Sequence, residues 1–189
     1  MKYIDLTYMV DMRRIESVVD NQKKALTGHL GTHFDVMNKE FPLKFTRLKG
    51  IVFDVSVVTG RDIDVNDIDM SLVERDAFVA FYSGYIERVE YGTKEYFTSH
   101  PELSNRLIMA LLGCGVSIIG IDFAGIRGGN EHTPKDQYCA DCGAFVVENL
   151  CNLGTLLRGK ASRSFIACTY PINFVGWTGL PCRVIAEIK

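Results

Sequence analysis

Runs rich in Val, Ile, Phe and Tyr recur along the chain at 3–9, 51–58, 77–82, 116–122, 144–150, 164–170 and 182–188. Each is bounded by glycine, proline or a polar cluster, which is the pattern of short, buried or half-buried strands. Two segments read as helices. One starts near Ser99-His100-Pro101-Glu102 and runs through Leu111, with Pro101 suited to a first helical position and Gly113 or Gly115 able to close the end. The other covers 135–142 and stops at Gly143. Two main helices against seven strands predict a strand-rich mixed α/β domain. With five prolines and no repeat, charge block or low-complexity stretch, residues 1–189 read as one domain without a linker.

Composition narrows the partners. At 189 residues and 47% hydrophobic content the chain can bury a sizeable core, so disorder is not expected. Lys plus Arg is 21 and Asp plus Glu is 23, a formal charge of 21 − 23 = −2. Such a balance offers no broad basic surface, so neither nucleic acid nor an anionic membrane is the expected partner. The longest apolar stretch, 107–121, is broken by Gly113, Gly115, Ser117 and Gly120 and falls short of the roughly 20 residues of a membrane span. No apolar core of signal-peptide length precedes Asp11, and a cytoplasmic location is expected, with the six cysteines as thiols.

Candidate chemistry concentrates in Gly28-His29-Leu30-Gly31-Thr32-His33-Phe34-Asp35, which holds two of the four histidines and an aspartate within seven residues. On a strand, residues 29, 33 and 35 share a face, whereas a helix would align 29 with 33 and swing 35 away. A flat strand would separate the two histidine α-carbons by about 13 Å, and Gly31 between them allows the bend that closes this gap. Two imidazoles and a carboxylate make an open site suited to zinc or manganese. The competing reading packs one histidine in the core and leaves the others in water.

These residues also carry a resemblance. His29-Leu30-Gly31-Thr32-His33-Phe34-Asp35 resembles the His-x-Gly-Thr-His-x-Asp signature of the putative cyclase, or kynurenine formamidase-like, family of metal-dependent hydrolases. Ile4-Asp5-Leu6-Thr7, Ser83-Gly84-Tyr85, Pro101 to Ser104, Gly120-Ile121-Asp122, the Glu148 to Leu153 segment and Gly179 to Ala186 follow in the family's order. The resemblance implies a swivelling β/β/α-type fold, a homodimer, and one or two Zn²⁺ or Mn²⁺ ions per chain. It assigns His29, His33 and Asp35 to the first metal, with Asp35 able to bridge, and Glu148 to the second. The family's remaining histidine ligand, twelve residues before that glutamate, is Asp136 here, a change that tilts preference towards manganese. The catalytic histidine expected four residues after the motif aspartate is Lys39. A lysine titrates near 10.4 and needs strong depression to act as a base; Lys39 could instead hold an anionic substrate, polarise a carbonyl, or simply face water. The implied reaction is hydrolysis of a small amide, lactone or cyclic imide by metal-activated water. The alternative is a non-catalytic relative that binds an anionic metabolite at a metal centre.

Weaker candidates complete the reading. Cys139 and Cys142 form a Cys-x-x-Cys that suggests a redox pair or, with His132 seven residues earlier, a metal site, against buried packing as the plainer reading. Cys114, Cys151, Cys168 and Cys182 read as core. His132 reads as an exposed loop histidine, with a replacement ligand or base as the alternative, and His100 as serving the helix start. Arg127 is a candidate for a substrate carboxylate, and the aromatics of 81–85 as core with one facing a pocket.

Overall fold

The computed structural model describes residues 2–9 and 28–188; the reading of the N-terminus beyond residue 9 lies outside them. Eight strands form one sheet: β1 (Lys2–Asp5), β2 (His33–Asp35), β3 (Arg47–Asp54), β4 (Phe78–Tyr82), β5 (Ile118–Ile121), β6 (Phe145–Glu148), β7 (Ser162–Pro171) and β8 (Gly179–Ile188). The order is β1-β8-β2-β6-β5-β4-β3-β7, and β7 pairs again with β8, so seven strands close into a barrel while β1 extends the edge of β8. The run β3-β4-β5-β6 is parallel, and β2, β7 and β8 close the circle by antiparallel pairing. The architecture is the strand-rich mixed α/β fold expected. All seven anticipated strands are present, with β1 ending at Asp5 and β3 starting four residues earlier than the apolar run.

Alternation along the parallel strands divides the core in two. Val52, Phe78, Ala80, Ile118, Phe145 and Val147 join Phe34, Phe165 and Val184 inside the barrel. Their neighbours Ile51, Phe53, Val79, Phe81, Ile119 and Val146 face outwards and pack against helices. Closure thus leaves no long unpaired edge on the parallel run, and the outer apolar face is covered by the crossover helices.

Five short helices are present among the described residues: α1 (Tyr85–Arg88), α2 (Lys94–Thr98), α3 (Asn105–Cys114), α4 (His132–Asp141) and α5 (Leu153–Leu157). The two of ten residues, α3 and α4, are the main helices expected, but both are displaced from the expected bounds. α3 begins after Ser104, whose side chain accepts the Leu107 N–H, because Leu103 pairs as an extended residue with Ile63. Pro101 therefore precedes the helix by a stretch of extended chain. Gly115, with φ +76°, closes α3 as anticipated. α4 begins three residues before the expected start, so that Pro134 falls in its first turn, where a missing N–H costs nothing. α4 packs on β6, to which it is joined by the turn at Gly143.

Candidate metal centre

β2 lies between β6 and β8, in register His33 opposite Glu148 and Asp35 opposite Val146. Phe34 points into the barrel, which turns His33 and Asp35 to the outer side, at the carboxyl end of β6. Upstream, Gly31 adopts φ +66°, a left-handed conformation that reverses the chain and brings His29 back over His33. His29 Nδ1 lies 3.1 Å from His33 Nε2 and 3.0 Å from Asp35 Oδ1. His33 Nε2 lies 3.6 Å from Asp35 Oδ1 and 3.7 Å from Glu148 Oε2. The bend at Gly31 thus does what the spacing required.

The other half of the cluster comes from α4. His132 and Asp136 are one helical turn apart and share a face, with His132 Nε2 3.2 Å from Asp136 Oδ2 and 3.1 Å from Glu148 Oε1. Two groups of donor atoms result, each within 4.8 Å of one another: His29, His33 and Asp35, and Asp35, His132, Asp136 and Glu148. Asp35 belongs to both. Its Oδ2 is buried and meets no hydrogen-bond donor among the described residues. An orphaned carboxylate oxygen between converging imidazoles and carboxylates is the donor arrangement a divalent cation satisfies, and the residues present fit such an ion.

The charges are strongly coupled. Burial opposes a charge on His33, but the carboxylate of Asp35 and then Glu148 hold its pKa up at about 9. The hydrogen bond to Glu148 raises His132 to about 9 as well, against its partial burial. For Asp35, burial works against ionisation, and the two neighbouring imidazoles outweigh it and hold its pKa well below the usual carboxylate range. Outer partners orient the rings. His33 Nδ1 is 2.9 Å from the Gly31 carbonyl, which can only accept, so Nδ1 carries a proton and Nε2 faces the cluster. His29 is turned the other way: Nε2 is 2.9 Å from the Thr178 hydroxyl and Nδ1 faces the cluster.

Above the cluster is a cavity of about 260 Å³ whose apolar wall is Met37, Phe97 and Ala124. Among the described residues no lysine or arginine lines it; the nitrogen bases that do are His29, His33 and His132. Lys39 pairs with Asp141 at 2.6 Å on the surface, among the alternatives the one that faces water. Arg127 is held by Asp62, Glu102 and Glu131 and has no free face for a substrate carboxylate. His100 does not start a helix; it bonds the Pro101 carbonyl and stacks on Phe123. Phe81 and Tyr85 are core, and the aromatic side chain at the cavity is Phe97, on a short helix whose apolar spacing gave no sign of it. Cys139 is buried, which pushes its thiol up to about 12 and away from the lowered pKa of a reactive thiol, while Cys142 is exposed past the helix end. Cys168 and Cys182 are buried, while Cys114 and Cys151 are half-buried.

The five residues proposed as ligands from sequence, His29, His33, Asp35, Asp136 and Glu148, all border this cavity. Of the two readings of His132, exposed loop histidine or replacement ligand, the structure favours the second: it is the first residue of α4 and one of the second donor group. The signal for it was the His-x-x-x-Asp spacing from His132 to Asp136 combined with Pro134 as a first-turn residue.

The family model described as "Putative cyclase" matches residues 4–126. A solved structure described as a potential metal-dependent hydrolase with cyclase activity is 19% identical, with a TM-score of 0.72 and 98% of each chain covered. A predicted metal-dependent hydrolase from Bacillus stearothermophilus is 19% identical, at TM-score 0.71, covering 98% of this chain and 97% of that one. Isatin hydrolase A from Labrenzia aggregata, bound to benzyl benzoate, is 17% identical, at TM-score 0.75, covering 98% of this chain and 93% of that one. At these identities the likeness is one of fold. A search of curated proteins gives no match.

Proposed function

Because the chain belongs to the putative cyclase family, we propose that it is a metal-dependent hydrolase of a small amide, lactone or cyclic imide. One observation carries the reading: two donor groups converge on a single buried carboxylate, Asp35, beside a cavity of substrate size. His29, His33 and Asp35 would hold one ion, and Asp35, His132, Asp136 and Glu148 a second. The first set suits Zn²⁺ or Mn²⁺; the second, with three carboxylates to one imidazole, is oxygen-rich and favours Mn²⁺. A divalent ion so held supplies Lewis acidity, which lowers the pKa of water and polarises a carbonyl.

The chain's own groups do the remaining work. Met37, Phe97 and Ala124 exclude water from the apolar body of the substrate, and Thr178 holds His29 in orientation. Water adds to the carbonyl carbon, its proton passes to a carboxylate oxygen of Glu148, and from there to the departing nitrogen or oxygen. The carbon–nitrogen or carbon–oxygen bond breaks, leaving a carboxylic acid that loses the water's second proton to solvent or to a released amine and departs as carboxylate. The alternative, a non-catalytic relative that binds an anionic metabolite at the metal centre, draws nothing from Lys39 and Arg127, which pair with carboxylates elsewhere. A homodimer, on the strength of the family resemblance, and a cytoplasmic location with 1–189 as one catalytic unit, on the sequence pattern, complete the proposal.

The test is turnover of a panel of small amides, lactones and cyclic imides by protein stripped of metal and then reconstituted with Mn²⁺ or Zn²⁺. Activity should vanish on stripping and return on reconstitution. His33→Ala should lower it by ~100-fold or more, at or beyond the ~10–100-fold typical of removing an outer partner of a metal ligand. Turnover and metal content both intact in His33→Ala would overturn the reading.

A further inference from the structure

Asn149 immediately follows Glu148, is buried, and borders the cavity without belonging to either donor group. Its backbone lies at φ +59°, a left-handed conformation that asparagine tolerates better than most residues. The side chain makes two directed bonds of opposite sense. Nδ2 donates to the Gly31 carbonyl at 2.9 Å, and Oδ1 accepts from the Tyr96 hydroxyl at 2.8 Å. The same Gly31 carbonyl takes the His33 Nδ1 proton at 2.9 Å, and the Gly31 N–H donates to the Tyr91 hydroxyl at 2.7 Å. The backbone of Asn149 is also committed: its carbonyl accepts from Thr32 Oγ1 at 2.8 Å, and its N–H donates to Phe123 at 3.2 Å.

We propose that Asn149 is a positioning residue of the metal centre, locking the Gly31 bend to the end of β6 so that His33 and Glu148 keep one mutual geometry. The inference rests on reading the cluster as a metal centre. The amide is suited to this because it donates and accepts at once. An aspartate would set a negative oxygen against the Gly31 carbonyl, and an aliphatic side chain would leave the Tyr96 hydroxyl and that carbonyl one partner short. Tyr96 fixes which way round the amide sits, since a hydroxyl donating to Oδ1 leaves Nδ2 facing Gly31. Tyr91 and Tyr96, their rings packed together at 5.2 Å, brace both partners of the bend from one aromatic cluster.

Two variants test it in the full chain. Asn149→Gly removes the amide while retaining a residue at ease at positive φ, and Tyr96→Phe removes one hydroxyl. Each is compared with the wild-type protein for Zn²⁺ affinity by chelator competition, for the visible spectrum of the Co²⁺-loaded protein, and for thermal stability without metal. Asn149→Gly should bind Zn²⁺ ~10–100-fold more weakly, and Tyr96→Phe should show a smaller loss in the same direction. Both should alter the shape of the Co²⁺ bands, which report ligand geometry and which a purely structural role would leave alone. If Asn149→Gly does not fold, Tyr96→Phe still decides. Wild-type affinity and spectrum in the variants overturn the proposal, as does weaker binding that follows lost stability with the spectrum unchanged. A wild-type protein that binds neither ion overturns the metal reading itself, a distinct result.

Discussion

Asp122 shows how one buried side chain organises a turn between neighbouring strands. It accepts hydrogen bonds from the Ser83 N–H and hydroxyl and from the Gly84 N–H, at 2.6–3.1 Å, tying the turn after β4 to the end of β5. Asparagine in its place would turn an amide NH₂ towards donors. Asp122→Asn should therefore cost about 1–3 kcal/mol, measured by chemical denaturation. Burial outweighs the hydrogen bonds and raises the Asp122 pKa to about 6, above the ordinary 3.8. The folded state thus holds the proton longer than the unfolded one. The stability this contributes is complete below about pH 4 and is lost as pH rises through about 6. The gap between wild type and Asp122→Asn should narrow over that window, and a widening gap contradicts the assignment. At this scale the Ser83-Gly84 and Asp122 segments were visible as motifs, but their hydrogen bonding was not, because thirty-nine positions separate the partners. Which of its alternatives Lys39 takes, and that His132 joins the site, were not legible for a related reason: a residue's type shows what chemistry it can do, while its direction depends on what the element it sits on packs against.

Element boundaries explain most of what the sequence left open. Strand positions were legible because alternation is dense in Val, Ile and Phe, and because β3 to β6 bury both faces, one in the barrel and one under helices. Helix starts were less so. Pro101 suggested a start that the pairing of Leu103 with Ile63 forbids, whereas Pro134, the true first-turn proline, was passed over because the polar run before it reads as loop. That shift of three residues decides whether His132 belongs to the site. The bend before β2 is the other element on which the site turns. Gly28 sits at φ +79°, and a Cβ there would overlap the Gly179 carbonyl at the start of β8 and approach the Trp177 ring at 2.9 Å. Gly28→Ala combines a disfavoured conformation with a backbone collision, so it should destabilise by about 2 kcal/mol or more. Because β2 would have to move off β8, metal uptake should fall with it. Denaturation and metal content measured on the same sample check both. An alanine variant with wild-type stability would show that this close approach does not hold β2.

Closure of the barrel is what assembles the site from distant parts of the chain. β2 enters between β6 and β8 only because β7 and β8 complete the circle, and this sets residues 29–35 against 148 and, through α4, against 132 and 136. Three buried carboxylates and three imidazoles in contact are costly to bring together without a compensating charge. On this account divalent ions supply that charge, and their binding is part of the stability of the whole molecule. The measurement that tests the claim most directly is elemental analysis of protein purified without chelator or affinity-tag metal, alongside Asp35→Ala. The account predicts one divalent ion for each donor group in the wild-type chain, and loss from both groups in Asp35→Ala because they share that carboxylate. A wild-type chain without divalent metal, as purified and after incubation with Mn²⁺ or Zn²⁺, would contradict it.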